Sequence, residues 1–151
     1  MTYSLIIPIF NEEQNIENLI NILNNSFLIK DNNCINIILV NDGSIDNSEY
    51  LIKSKINNND KILLLSHRQN IGYGAAIKTG IKYSKNLANY VVFADSDLTN
   101  PIEDIKKMNP NNITFEIFKF DFPIQTIRTD QESAIESSVF QDFIKNYWNF
   151  T

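Results

Sequence analysis

Cysteine, histidine and glycine are the scarce residues of this chain. Its 151 residues hold one cysteine, one histidine and four glycines. A single thiol, Cys34, allows no internal disulfide and fits a reducing compartment; beside Ile35 it reads as a small buried residue. One histidine and one cysteine exclude a His/Cys zinc cluster built within the chain. No Gly-x-x-x-x-Gly-Lys-Ser/Thr run exists, which discounts a P-loop NTPase. Gly72 and Gly74 lack the third glycine of the dinucleotide fingerprint and do not follow the first strand, which discounts a Rossmann dehydrogenase. Positive charge is short as well. The net charge is −5 and the pI near 4.8, which argues against nucleic acid as the main partner, because phosphate backbones are bound by basic surface. No apolar run reaches the roughly 18 residues that span a bilayer. Met1-Thr2-Tyr3 leads straight into a strand rather than a signal peptide. There is no internal repeat, and Asn-rich tracts such as Asn57-Asn58-Asn59 read as polar loops.

What remains is a globular chain with 43% hydrophobic residues, long enough for one domain with a real core. Apolar strand candidates recur at Ser4–Ile9, Ile35–Val40, Lys61–Leu65 and Tyr90–Ala94. Between them lie helical stretches. In the first, Asn11 is placed to cap the helix with Gln14 at its third position, and Ile16, Leu19, Ile20 and Leu23 form one apolar stripe. A second helix is expected over about Asn47 to Ile56. A third, about Ala75 to Lys85, turns Ala76, Ile77, Gly80 and Ile81 inward. Strand then helix, four times over, predicts an α/β fold with a doubly wound, mainly parallel sheet.

In such sheets ligands bind outside the carboxyl ends of the strands. Every chemically interesting residue here falls at such an end. Asn11 and Glu12 follow the first strand, Asp42 the second, and Arg68, Asn70 and Gly72 the third. The fourth ends in Asp95-Ser96-Asp97, after which Asn100, Pro101 and Glu103 fit a capping box. Paired oxygen donors of this kind suit Mg²⁺ or Mn²⁺ bound jointly with phosphates. Asp is also a common turn residue, so Asp95 and Asp97 alone could simply cap the turn; four convergent polar turns favour a site. Asp42 is placed to accept hydrogen bonds from a base N–H, Glu12 to hold ribose hydroxyls, and Asn70-x-Gly72-x-Gly74 to bring backbone N–H groups to a ligand. His67 reads as a strand-end residue, because no Ser or Cys nucleophile is placed to use it as a base.

The stretches IPIFNEEQNI, VNDGSIDNS, RQNIGYGAAIKTGI and FADSDLTNP, in this order, resemble the nucleotide-sugar-binding half of a family 2 inverting glycosyltransferase of GT-A fold. The branch they look most like is that of the polyprenyl-phosphate (dolichyl-phosphate mannose synthase-like) enzymes. The resemblance covers about Tyr3 to Met108. It implies a Rossmann-like three-layer domain in which Pro8, Asn11, Glu12 and Asp42 contact base and ribose. It further implies that Arg68, Asn70, Gly72 and Gly74 lie along the donor, and that Asp95 and Asp97 hold Mg²⁺ or Mn²⁺ on the diphosphate. The implied donor is a UDP- or GDP-sugar and the implied acceptor a polyprenyl phosphate or glycan, at the cytoplasmic face of a membrane.

Beyond Lys107 the character changes. Asn109-Pro110-Asn111-Asn112 is a breaker cluster, dividing residues 1–108 from a tail, residues 109–151. Ile113–Phe122 alternates like a half-buried strand, and Asp130 is placed to cap a last helix with an aromatic stripe through Phe140, Phe143, Tyr147 and Trp148. That stripe reads first as core packing and second as a membrane or protein-partner surface. The tail is shorter than the acceptor half of the resembled family, and Phe120-Asp121-Phe122 with Arg128 faintly resembles a later segment of it. An internal deletion is therefore expected near residues 109–112. No catalytic base is assigned; Asp121 and Asp130 are the acids available. Two further readings stand beside the transferase: a shortened remnant that binds nucleotide or packs on a partner without turnover, and a nucleotidyltransferase, against which the acidic IPIFNEE counts.

Overall fold

The computed structural model describes residues 2–56, 59–98, 102–107 and 127–128. Four parallel strands, β1 (Tyr3–Ile9), β2 (Cys34–Asn41), β3 (Ile62–Ser66) and β4 (Tyr90–Phe93), alternate with α1 (Glu13–Asn25), α2 (Ser48–Lys55) and α3 (Tyr73–Ser84). A two-residue strand, β5 (Ile127–Arg128), adds to the outer side of β4, giving the order β3-β2-β1-β4-β5. The fold is the expected three-layer α/β arrangement, parallel at every described pairing. Sequence periodicity missed β5, since two residues carry no period. The segment after β4 forms a 3-10 turn at Ile102–Lys107 instead of the expected α-helix. Its predicted capping residues Asn100 and Pro101 lie outside the described residues, as do the strand expected at Ile113–Phe122 and the helix expected after Asp130.

The strands are apolar on both faces because both faces are covered. Leu5, Ile7 and Ile9 of β1 pack with Ile16, Leu19, Ile20 and Leu23 of α1 and Ile52 of α2. On the opposite face Ile6 of β1, with Ile38 and Val40 of β2, meets Ala76 and Ile77 of α3. Each such aliphatic side chain contributes about 1.5–3 kcal/mol on burial. Cys34 is buried as expected, and burial pushes its thiol up to about 11, far from a reactive thiolate.

α3 lies very close to β1. A Cβ at Gly80 would stand 2.6 Å from Ile6 Cγ2, and Ile6 is fully buried. Gly80→Val is therefore expected to cost about 1–3 kcal/mol by overpacking. Urea unfolding measures it; an unchanged midpoint would contradict the close approach.

The order of strands creates the site. From β1 the chain winds outward through β2 and β3, then returns to lay β4 on the other side of β1. The crevice at this reversal, beyond the carboxyl ends of β1 and β4, is where doubly wound sheets bind ligands. Pro8 helps to open it. The β1–β4 pairing runs through Ile6↔Phe93, and the Ala94 N–H still reaches the Ile6 carbonyl at 3.2 Å. The next rung of a parallel ladder would come from the N–H at position 8, and proline has none. The two strands part there.

Candidate functional site

The loop after β1 and the loop after β2 are laced into one structure. The Asn11 N–H donates to Ser44 Oγ at 2.9 Å, and the Ile45 N–H donates back to Asn11 Oδ1 at 2.9 Å. The Glu12 N–H reaches Ser48 Oγ at 2.8 Å and the Glu13 N–H reaches Asp46 Oδ2 at 3.0 Å. These are the donors that a helix start leaves without internal partners. The sequence expectation was that Asn11 would cap α1 from its own chain position. Instead Glu12 holds the cap position, and the neighbouring loop supplies the acceptors through Ser48 and Asp46. Burial pushes the Asp46 carboxyl up, but hydrogen bonds from Ser48 and the Glu13 backbone outweigh it and hold Asp46 below the usual carboxylate range.

Asp42 is the second tie. Its carboxylate is 4% exposed and faces inward. Asp42 Oδ1 lies 2.7 Å from His67 Nδ1 and accepts the Ile71 N–H at 3.1 Å; Oδ2 accepts the Gly72 N–H at 2.8 Å. Most of its accepting capacity is therefore used within the chain, on the loop after β3, where the sequence reading had offered it to a nucleotide base. The same loop lies directly on Gly43, whose missing Cβ would sit 2.2 Å from the Gln69 carbonyl carbon. Gly72, at φ +98, holds a backbone conformation that favours glycine and leads into α3.

The turn after β4 carries the acids. Asp95 is half-buried, Asp97 is exposed, and the Leu98 N–H closes the turn onto the Asp95 carbonyl at 3.1 Å. Leu98 has φ +51, and Asn11 has φ +55. These are the only non-glycine residues with positive φ among the described residues, and they fall in the two loops that flank the crevice. Backbone strain of this kind gathers at functional sites. Tyr73, at the start of α3, reaches across to the acids, its hydroxyl 3.5 Å from Asp95 Oδ1. Loss of solvent around the phenol and the adjacent Asp95 carboxylate push Tyr73 up to about 12.

Of the residues singled out from sequence, Asn11, Glu12, Asp42, Arg68, Asn70, Gly72, Gly74, Asp95 and Asp97 all lie at the carboxyl edge of the sheet, and Pro8 is buried inside β1 just beneath it. Arg68 and Asn70 are exposed, and Glu12 Oε2 accepts from Asn15 Nδ2 at 2.7 Å. The sequence reading missed Ser44, Asp46, Ser48 and Tyr73, whose partners are remote in sequence. It read His67 only as a strand-end residue and did not single out Thr79, whose hydroxyl lies 2.8 Å from the His67 ring.

The donor set at Asp95 and Asp97 is oxygen only. No group of three or more His, Cys, Asp or Glu side chains gathers at one point among the described residues. Two carboxylates fit a hard cation such as Mg²⁺ or Mn²⁺ that takes its other oxygens from water and a phosphate-bearing ligand; they do not make a closed protein cage.

Known proteins are similar to this chain over the described sheet and its loops. In the solved structures of S. aureus TarS 1-349, the complex with UDP matches at TM-score 0.51 and 25% identity, over 64% of this chain and 28% of that one. The complex with UDP-GlcNAc matches at TM-score 0.51 and 25% identity, over 64% and 27%. The UDP-N-acetylglucosamine–dolichyl-phosphate N-acetylglucosaminyltransferase of Methanococcus voltae is 38% identical over 117 residues, 69% of this chain and 44% of that protein. The undecaprenyl-phosphate 4-deoxy-4-formamido-L-arabinose transferase of Yersinia pestis is 31% identical over 106 residues, 70% of this chain and 32% of that protein. This chain thus spans less than half the length of these curated relatives. No helix among the described residues is long and apolar enough to cross a membrane. The family profile of glycosyl transferase family 2 matches residues 4–111, the stretch that carries β1 to β4, the laced loops and the acidic turn, and the chain belongs to that family.

Proposed function

We propose that the carboxyl edge of the sheet binds a nucleotide-diphospho-sugar and that the chain transfers its sugar to a polyprenyl phosphate. The observation that carries this reading is the convergence of four polar loops on the crevice between β1 and β4, with the Asp95–Asp97 turn at its rim. The names of the relatives support the classes of donor and acceptor: two relatives carry a polyprenyl phosphate in their names, and UDP or a UDP-sugar appears in the name or complexes of two.

In this reading residues 1–108 form the donor half. Asn11 and Glu12 face base and ribose, and the loop after β3 lays Arg68, Asn70 and the Gly72–Gly74 backbone along the diphosphate. The N-terminus of α3 adds its positive dipole end to that edge. Asp42 enters through its hold on that loop, with one remaining Oδ2 lone pair for the base. Asp95 and Asp97 are the groups that would hold Mg²⁺ or Mn²⁺. Bound there with the donor, the cation supplies Lewis-acid stabilisation of the departing diphosphate. Tyr73, beside Asp95, fixes the inner carboxylate.

Incubating the chain with a UDP-sugar or GDP-sugar, Mn²⁺ and a short polyprenyl phosphate tests the transfer. Release of nucleoside diphosphate with a glycolipid product is expected, reduced at least about 100-fold in Asp97→Ala, the order of loss when a positioned electrostatic group is removed. Nucleotide binding with neither release nor product would instead support donor binding without turnover.

A further inference from the structure

Resting on the nucleotide site just proposed, we propose that His67 is the positioning residue of that site: through Asp42 on one side and Thr79 on the other, it holds the loop after β3 in the shape the donor needs before the donor arrives. His67 is the chain's single histidine and stands directly after β3, with its side chain only 13% exposed. Its backbone N–H is fixed to the Asn41 carbonyl at 2.9 Å. Its ring joins three elements. Nδ1 meets Asp42 Oδ1 at 2.7 Å, at the end of β2, and Nε2 meets Thr79 Oγ1 at 2.8 Å, on α3.

The exposed stretch Arg68–Ile71 rises between these anchors. One end of it is His67, bonded to Asp42. Its other end is the Ile71 and Gly72 backbone, bonded to the same carboxylate at 3.1 and 2.8 Å. Both ends of the loop that carries Arg68 and Asn70 are thus pinned to one buried anion, and the imidazole adds a second link from that anion to Thr79 within α3. A loop fixed in this way loses little conformational entropy when a ligand settles on it.

The proton inventory determines the tautomer. A carboxylate only accepts, so Nδ1 carries the hydrogen. In the neutral ring Nε2 is then an acceptor, and the Thr79 hydroxyl donates to it. The order carboxylate–imidazole–hydroxyl also occurs where a hydroxyl is activated as a nucleophile. Here the imidazole joins packed elements, and its effect reaches the ligand through the loop.

The test uses the purified chain and Thr79→Val, Thr79→Ser and His67→Phe. UDP and GDP are titrated with Mn²⁺ by calorimetry, and the one imidazole is followed by ¹⁵N NMR. Wild type is expected to show the Nδ1–H tautomer before nucleotide is added and to keep it at saturation. Thr79→Val, nearly isosteric, should weaken nucleotide binding about five- to tenfold, the size of one hydrogen bond. Thr79→Ser should restore binding and the ring signals. Should His67→Phe fail to fold, Thr79→Val decides alone. Folded Thr79→Val with wild-type affinity, or a wild-type ring that lacks the Nδ1–H tautomer before nucleotide is added, overturns the positioning role while leaving the nucleotide site intact. If wild type binds neither nucleotide, the site itself falls, and the positioning role with it.

Discussion

Gly43→Ala is expected to destabilise the chain by about 2–4 kcal/mol, among the largest losses available to the addition of one methyl group. Two effects add. Gly43 has φ +65, a region that costs an L-residue about 1–2 kcal/mol. The new Cβ would also lie 2.2 Å from the Gln69 carbonyl carbon and 2.4 Å from the Asn70 nitrogen. Both are backbone atoms, so no rotamer change relieves the clash; the loop after β3 has to lift. Lifting it stretches the Ile71 and Gly72 bonds to Asp42. The lost stability should therefore be accompanied by weaker nucleotide binding in whatever fraction stays folded. Urea unfolding with a calorimetric titration measures both. A folded Gly43→Ala chain with an unchanged midpoint would show that the two loops do not touch.

Asp42→Ala is expected to cost a similar amount, about 2–4 kcal/mol, for a different reason. Removing the carboxylate leaves the His67 Nδ1–H and the Ile71 and Gly72 N–H groups without the acceptor they share. These bonds are part-buried, and stranding a donor shielded from water costs more than the bond itself contributed. Asp42→Asn should recover part of the loss, since its remaining carbonyl oxygen still accepts. Equal stability of Asp42→Ala and wild type in urea would place the carboxylate in solvent, contrary to its 4% exposure.

The layers of the fold could be read from sequence because the pattern that reveals them is local. Leu5–Ile9 and Ile37–Val40 are unbroken apolar runs, as strands buried on both faces must be. The stripe Ile16, Leu19, Ile20, Leu23 is buried in full. The place of the candidate site followed from topology, because parallel strands send every following loop to the same edge. The bonds within that edge could not be read. An Asp-Gly pair after a strand indicates a turn; nothing local tells that Asp42 points inward to a histidine 25 residues away. Asn11 looked like a cap, but the acceptors came from Asp46 and Ser48, more than 30 residues on. His67 was set aside for want of a nucleophile, yet its partner is the Thr79 hydroxyl on the next helix. A histidine at a strand end with a hydroxyl on the following helix was the available signal, and it is a faint one.

The claim at the centre is that these loops make one metal-dependent donor site. Calorimetric titration of the chain with UDP and with GDP, each with and without Mn²⁺, tests it most directly. Binding of one of the two nucleotides that needs Mn²⁺ and disappears in Asp97→Ala is the expected result. Binding that ignores Mn²⁺ and survives Asp97→Ala would contradict the metal role of the acidic turn, and no binding of either nucleotide would contradict the site.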